Sequence, residues 1–184
     1  IGLRWLLFKE GLGATNHFES CGFIKSSKKI ETPDIQYHFL PGAMRYDGKQ
    51  ANQGHGYQVH VGFNKPKSHG SVEIRSNDPR HPPKIKFNYL KHEDDVKGFR
   101  LALKLTRNIM NQSAFKPFRD IEIQPGKDIQ SDDEIDNFIK NSVESAYHPC
   151  CSCKMGSDND SVVDNQTRVF GLSGLRVVDA SIFP

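Results

Sequence analysis

A histidine that precedes a proline stands at the start of a cysteine cluster: His148-Pro149 leads into Cys150, Cys151 and Cys153. A neutral imidazole can take up a proton near pH 7, which makes His148 a candidate general base. The proline that follows biases His148 towards an extended backbone and so restricts its position. An isolated histidine of this kind is more often a loop residue than a catalytic one, so the pattern alone leaves both interpretations open.

The same cluster is a candidate metal site, because histidine and cysteine are both zinc ligands. The four side chains fall within six residues, whereas structural zinc sites usually draw their ligands from two separated pairs. We therefore expect no bound metal. The fourth cysteine, Cys21, is distant in sequence, and three crowded cysteines give no framework for a disulfide scaffold. Reduced thiols in a reducing compartment are the simpler interpretation.

Composition places the chain among ordinary folded proteins. It has 184 residues, of which 36% are apolar and 26% charged, and its formal net charge is +3. This length suits one domain with a moderate core. The small charge and the lack of a basic stripe argue against nucleic-acid binding. No apolar run approaches the roughly 20 residues of a membrane-spanning helix.

Alternation of apolar and polar residues predicts several short strands. The clearest run places Ile35, Tyr37 and Phe39 on one face. Strands that follow each other closely, without helices between them, favour an antiparallel sheet with one covered face. Further strand candidates, bounded by turn residues, are 20–25, 57–63, 72–75 and 85–89.

Two later segments have helical spacing. The first opens with three acidic residues at 93–95 and carries Lys104 and Arg107 late, an order that suits the helix dipole. The second begins at Ser131, where Glu134 completes a capping box. Strands followed by segregated helices indicate an α+β domain in which helices cover an antiparallel sheet.

The end of the chain is almost fully apolar through Leu175, Val177 and Val178. Such a run is typical of a strand that is covered on both faces. We expect this tail to leave the antiparallel sheet and join a different, larger one. Asp179 can cap a following helix, which would direct backbone amides at an anion.

Two stretches together resemble the C-terminal signature of the glucose-methanol-choline (GMC) family of flavin-dependent alcohol oxidoreductases. The first is 145–156, which runs from Ser-Ala-Tyr-His-Pro to Cys-Lys-Met-Gly, and the second is 174–181, which ends on Asp-Ala-Ser. Much of the chain upstream, including 33–36, 57–62 and 88–90, is similar to the choline-oxidising members of this family.

The resemblance implies roles for five residues. His148 matches the catalytic histidine of the family. Tyr147 matches an aromatic residue of the choline-binding members, and an aromatic face suits a fixed positive charge. Glu19 falls where those members carry a carboxylate that faces the ammonium group. The alternative interpretation of Glu19 is an exposed charge at a strand edge. Asp179 and Ala180 resemble the stretch that approaches the phosphates and ring of FAD. The alternative interpretation is that they form the capped end of a buried strand.

The resemblance also implies an enzyme larger than this chain. Residues 1–155 are expected to be its substrate-binding domain, and 156–184 a segment that returns to the FAD-binding domain. The family's GxGxxG turn, which cradles the FAD pyrophosphate, has no counterpart in the sequence. Neither has a second catalytic Asn or His, which would follow Pro184. We therefore expect the chain alone to be inactive.

The implied reaction is the oxidation of choline to betaine aldehyde, a step of betaine biosynthesis, in which a hydride goes to the flavin. The expected electron acceptor is respiratory and the expected location mitochondrial, while peripheral membrane association of the whole enzyme stays open. Two alternatives remain. One is a GMC dehydrogenase or oxidase for another alcohol, and the other is a non-catalytic module derived from the family.

Overall fold

The computed structural model describes residues 2–11, 13–43 and 54–184. The chain divides into two compact units, of which the first comprises Ile1–Lys67 and Leu90–Lys140 and the second Ser68–Tyr89 and Asn141–Pro184. The domain boundary expected at residue 155 concerns a whole enzyme and stays a prediction.

A three-stranded antiparallel sheet forms the centre of the first unit. In its middle strand the side chains of Ile35 and Tyr37 are buried, as the alternation predicts. A short helix, α1 (Gly2–Phe8), precedes the sheet and has no buried residue. The strands, in spatial order, are β1 (Ser20–Ile24), β2 (Ile35–Leu40) and β3 (Gln58–Phe63).

The long helix α2 (Glu93–Met110) packs against this sheet. Its Ala102 is fully buried and shares one apolar core with Ile35 and Tyr37. The Tyr37 hydroxyl donates a hydrogen bond of 3.3 Å to the Ala102 carbonyl oxygen. The polar group at the centre of the core is therefore satisfied, as buried polar groups must be.

A glycine lets α2 approach β3 closely. The ring of Phe63 lies against Gly98, where an added Cβ atom would come within 2.8 Å of the ring carbon Cζ. The same ring meets Phe99 edge-on, with 5.7 Å between the ring centroids. A side chain at position 98 would therefore force the ring or the helix to shift.

A third helix, α3 (Asp132–Ser142), is joined to α2 by ion pairs. The predicted capping box is present at its start: the Ser131 N–H donates to Glu134 at 2.9 Å, and the Glu134 N–H donates to Ser131 Oγ at 3.3 Å. Arg100 of α2 binds both carboxylate oxygens of Asp136. This guanidinium holds the pKa of Asp136 below its ordinary value.

The second unit contains a hairpin and a loop-rich segment. The hairpin pairs β4 (Ser71–Glu73) with β5 (Lys84–Lys86) in antiparallel register. After residue 150 the pairing is reduced to isolated bridges, two of which meet at the fully buried Val163. The expected α+β class is confirmed, because antiparallel sheets and separate helices make up the described residues.

The strand expected at the end of the chain belongs to a larger sheet of the whole enzyme and stays a prediction. Within residues 175–178 only Arg176 pairs, in an isolated bridge with Arg168, and the side chains of Leu175 and Val178 are 49% and 76% exposed. Gly171 and Gly174 both have positive φ and turn the chain back on itself before this run. An apolar run indicates that its side chains favour burial, but it does not specify the surface that covers them.

None of the helices in the described residues combines the length and the hydropathy needed to cross a membrane.

Replacing Asp136 by asparagine is expected to destabilise the first unit. The substitution removes the charged partner of Arg100, whose side chain is 23% exposed, and lowers the free energy of unfolding by about 1 to 3 kcal/mol. Because folding lowers the pKa of Asp136, its contribution is complete above the unfolded-state pKa of about 4 and is lost as pH falls. Urea unfolding at neutral and at acidic pH measures both effects.

The matched control is Asp133→Asn, since Asp133 is an exposed carboxylate on the first turn of the same helix. We expect this variant to stay within about 0.5 kcal/mol of the wild type. If Asp136→Asn and the wild type unfolded at the same urea concentration at neutral pH, the role given to the ion pair would be contradicted.

Candidate active site

The His148 segment and the last residues of the chain lie side by side in the second unit. The N–H groups of every second residue in the first segment donate to successive carbonyl groups of a compact turn. The stretches 145–156 and 174–181, which are far apart in sequence, therefore meet in the structure. The three hydrogen bonds run from Cys151 to Ala180 at 3.4 Å, from Cys153 to Ser181 at 2.9 Å and from Met155 to Ile182 at 2.9 Å.

Asp179 begins the turn that accepts these hydrogen bonds. It caps the 3-10 helix Ala180–Ile182, and its carboxylate accepts hydrogen bonds from the Ser181 hydroxyl and, at 2.8 Å, from the Ser181 N–H. These two donors lower the pKa of Asp179, so the side chain is anionic at neutral pH. The capping role expected for Asp179 is confirmed, while its contact with a cofactor stays a prediction.

A close approach supports the other end of the His148 segment. The Val162 N–H donates to the Lys154 carbonyl oxygen at 2.8 Å. An added Cβ atom at Gly156 would come within 2.4 Å of Ser161 Oγ, and this hydroxyl is itself fixed by a hydrogen bond of 2.8 Å to Asp158. Glycine at the end of the Lys-Met-Gly sequence is therefore a packing requirement.

His148 is exposed, and its ring makes no hydrogen bond or ion pair with the residues that the structure describes. Tyr147 has a φ of +60°, and its side chain is 77% exposed. The Tyr147 N–H donates to Ser145 Oγ at 2.9 Å, and this small turn supports a backbone conformation that is uncommon for a bulky residue. Both rings are open to a ligand.

Glu19 belongs to the first unit and directly precedes β1. Its exposed carboxylate accepts a hydrogen bond from the Thr15 hydroxyl. The Thr15 oxygen in turn accepts a hydrogen bond of 2.9 Å from the His17 N–H, so the loop orients the carboxylate. The other four predicted site residues belong to the second unit: Tyr147, His148, Asp179 and Ala180.

An apolar cavity of about 340 Å³ in the first unit was not predicted from the sequence. Its lining comes from the three strands, the end of α2 and the 3-10 helix Ser113–Phe115. Phe39, Tyr57 and Phe115 form an aromatic cluster with 5.4 to 6.3 Å between ring centroids. The strand alternation indicated that Phe39 faces inward, but no periodic pattern connects it to Phe115.

Across residues 2–11, 13–43 and 54–184, no group of three or more His, Cys, Asp and Glu side chains is arranged to hold a metal ion. All four cysteines are free thiols.

A family model described as GMC oxidoreductase matches residues 66–184, a range that includes both stretches joined by the backbone hydrogen bonds. The chain belongs to the GMC oxidoreductase family. The family expected from the sequence is therefore confirmed.

Curated relatives align over the whole chain. It is 61% identical over 186 residues to the oxygen-dependent choline dehydrogenase of Brucella ovis. It is 54% identical over 186 residues to the protein of the same name from Rhizobium rhizogenes. Both alignments cover 100% of this chain and 34% of the relative, so the chain spans about a third of the length of the curated relatives it matches.

Solved structures of GMC flavoenzymes share the fold. Pyridoxine 4-oxidase from Mesorbium loti has a TM-score of 0.80 and 32% identity, and the match covers 90% of this chain and 33% of that one. Formate oxidase from Aspergillus oryzae has a TM-score of 0.83 at 18% identity, covering 100% of this chain and 37% of that one. At that identity the second match shows the fold alone.

The mitochondrial location expected from the resemblance is wrong. The relatives that match the whole chain are bacterial proteins, from Brucella and Rhizobium among others, and bacteria have no mitochondria. The expectation rested on the family resemblance alone, because no targeting segment in the sequence supported it.

FAD is confirmed as the cofactor of the family. A further solved neighbour is named as an FAD-dependent oxidoreductase from Chaetomium thermophilum. It has a TM-score of 0.67 and 26% identity, and the match covers 83% of this chain and 24% of that one. The described residues suit the flavin ring better than the pyrophosphate. The N–H of Ala180 has no hydrogen-bond partner among them, and Tyr147, Val178 and Phe183 expose apolar surface. The anionic Asp179 would repel a phosphate.

Replacing Asp179 by alanine is expected to loosen the contact between the two segments. The substitution removes the cap of the turn, which is worth about 1 kcal/mol, and so exposes the carbonyl groups of Ser181 and Ile182 to fraying. Amide hydrogen exchange at Cys153 and Met155, whose N–H groups bind those carbonyls, should become about fivefold faster.

Asp160→Ala is the control, because Asp160 is exposed in the same unit. Unchanged exchange at Cys153 and Met155 in the Asp179→Ala variant would show that the cap does not hold this contact.

Proposed function

We propose that this chain is the C-terminal portion of an FAD-dependent enzyme that oxidises choline to betaine aldehyde. Membership of the GMC oxidoreductase family and 61% identity to a choline dehydrogenase support this proposal. The observation that carries it is the ladder of backbone hydrogen bonds that joins the His148 segment to the carbonyl groups of 180–182, directly after Asp179. In the whole enzyme, residues 1–155 bind the substrate and 156–184 lead back to the FAD-binding domain.

His148 accepts the proton of the substrate hydroxyl group at a ring nitrogen. Its exposed ring has no competing hydrogen bond within the described residues, so the nitrogen is available to a ligand, and a neutral imidazole suits this step near pH 7. Pro149 and the turn at Tyr147 restrict the backbone on either side of the ring. FAD, when bound, would accept the hydride from the alcohol carbon. The Ala180 N–H and the exposed ring of Tyr147 would contact FAD or the substrate.

Choline carries a positive charge that no proton loss can remove, so its site needs π faces and a carboxylate. Tyr147 supplies an exposed ring. Glu19 supplies a carboxylate that the Thr15 hydroxyl orients. In this proposal Glu19 contributes to binding of the trimethylammonium group, and His148 acts on the hydroxyl group.

A full catalytic cycle would also require an electron acceptor. A respiratory acceptor was expected from the sequence, whereas the relatives are named oxygen-dependent, which supports oxygen. Oxygen consumption that matches choline consumption one for one would support oxygen. Turnover that requires an added quinone in air-saturated buffer would support the respiratory acceptor.

A different alcohol is the second candidate substrate, because a neighbour at 32% identity is named pyridoxine 4-oxidase. Comparing kcat/KM for choline and pyridoxine on the full-length protein decides between them. We expect choline to be preferred, since pyridoxine carries no permanent ammonium group for Glu19 to bind.

Replacing His148 by alanine in the full-length protein is expected to lower kcat about 100- to 10,000-fold, because the proton acceptor is lost. Flavin content, measured by absorbance, should stay at the wild-type level. His69→Ala is the control, since His69 is an exposed histidine of the same unit. Wild-type turnover by the flavin-loaded His148→Ala variant would refute the proposed mechanism.

Replacing Glu19 by glutamine is expected to raise the KM for choline about tenfold while kcat changes little, because the carboxylate acts in binding. The neutral analogue in which carbon replaces the nitrogen of choline should show no change in KM. Glu31→Gln, which alters an exposed carboxylate of the same unit, serves as the control. An equal rise in KM for both substrates would rule out charge recognition by Glu19.

A further inference from the structure

The structure brings two neighbouring thiols together. Cys150 and Cys151 are both exposed, and the Cys151 thiol donates a hydrogen bond to Cys150 Sγ across 3.3 Å. Side chains of adjacent residues in an extended chain point to opposite faces. Cys151 instead has a φ of +71°, and this left-handed conformation breaks the alternation and places both sulfur atoms on one side.

We propose that Cys150 and Cys151 form a dithiol site that hydroperoxides oxidise reversibly to a disulfide between the two adjacent residues. The reaction proposed for His148 does not use either thiol. The dithiol site does not depend on the proposed function, because it requires only the two thiols and a peroxide.

The hydrogen bond assigns a role to each sulfur. Partial burial of its sulfur, followed by the neighbouring Cys150 thiol, raises the pKa of the Cys151 thiol. The Cys151 thiol donates towards Cys150, so the Cys150 sulfur is the acceptor of the pair. Cys150 is the attacking nucleophile and Cys151 the resolving thiol.

The reaction balances in two steps. The Cys150 thiolate attacks one oxygen of the hydroperoxide, the O–O bond breaks, and the products are a sulfenic acid on Cys150 and an alcohol, or water when the peroxide is hydrogen peroxide. Cys151 then attacks the sulfenic sulfur and releases water. The two thiols lose two protons and two electrons in all, and the peroxide accepts them.

The disulfide must be easy to reduce. Adjacent Cα atoms are about 3.8 Å apart across a trans peptide, whereas disulfide-bonded cysteines usually have Cα atoms about 4.4 to 6.8 Å apart. Such a bond is strained, and strained exposed disulfides are the labile ones. The sulfur atoms, now 3.3 Å apart, must approach by about 1.2 Å to reach the bond length of about 2.05 Å.

The other two cysteines supply internal controls. Cys153 is less exposed than its neighbours, and its N–H is held by the Ser181 carbonyl group. No sulfur contact joins Cys153 or Cys21 to another thiol within the described residues. The proposal therefore assigns oxidation to one pair among the four cysteines of the chain.

The test treats the full chain with a small molar excess of hydrogen peroxide and measures the mass of the proteolytic fragment that holds residues 150–153. The fragment should lose two hydrogen atoms and regain them on treatment with a mild thiol reductant. Cys153→Ser and Cys21→Ser should lose the same two hydrogen atoms. Cys150→Ser and Cys151→Ser should lose none, and Cys151→Ser should accumulate a sulfenic acid on Cys150 that a dimedone-type probe labels.

Two results would overturn the proposal. One is retention of all thiols by the wild type at a peroxide dose that oxidises free cysteine, and the other is loss of the disulfide in Cys153→Ser. Because every readout is a mass, an inactive enzyme or a different substrate would leave the outcome unchanged, and a failure here would leave the proposed choline oxidation untouched.

Discussion

The position of His148 depends on a ladder of backbone hydrogen bonds. The N–H groups of residues 151, 153 and 155 donate to the successive carbonyl groups of 180–182. Since only backbone atoms take part, the side chains of both segments can vary while the two segments stay in register. Side chains then determine details, such as the cap that Asp179 provides for the turn. Any chemistry that His148 performs requires the tail to be in place.

Sequence reasoning succeeded where a local pattern determines structure. The acidic start and helical spacing of α2, the capping box of α3 and the alternation in β2 each depend on residues a few positions apart. The covered strand expected at 175–178 stays a prediction for the opposite reason. Its apolar side chains do not specify the surface that would cover them, and two glycines with positive φ precede the run. The cavity beside Phe39 was missed because its other aromatic wall, Phe115, comes from a distant segment.

The candidate site was predictable in its members and not in its geometry. The resemblance identified His148, Tyr147, Asp179 and Ala180, but the direct contact between the two stretches needed coordinates. Glu19 lies in the other unit, so no local pattern relates it to His148. The sequence also placed three cysteines together without indicating which two thiols meet. That depends on a single left-handed residue, Cys151, which is neither glycine nor asparagine and so gives no signal in the sequence.

Positions 63 and 98 act as one steric pair, because the ring of Phe63 occupies the space that a side chain at 98 would need. A side chain at 98 requires the ring or the helix to shift, and a smaller residue at 63 removes that requirement. Among homologues these two positions should therefore covary, although they are 35 residues apart in sequence.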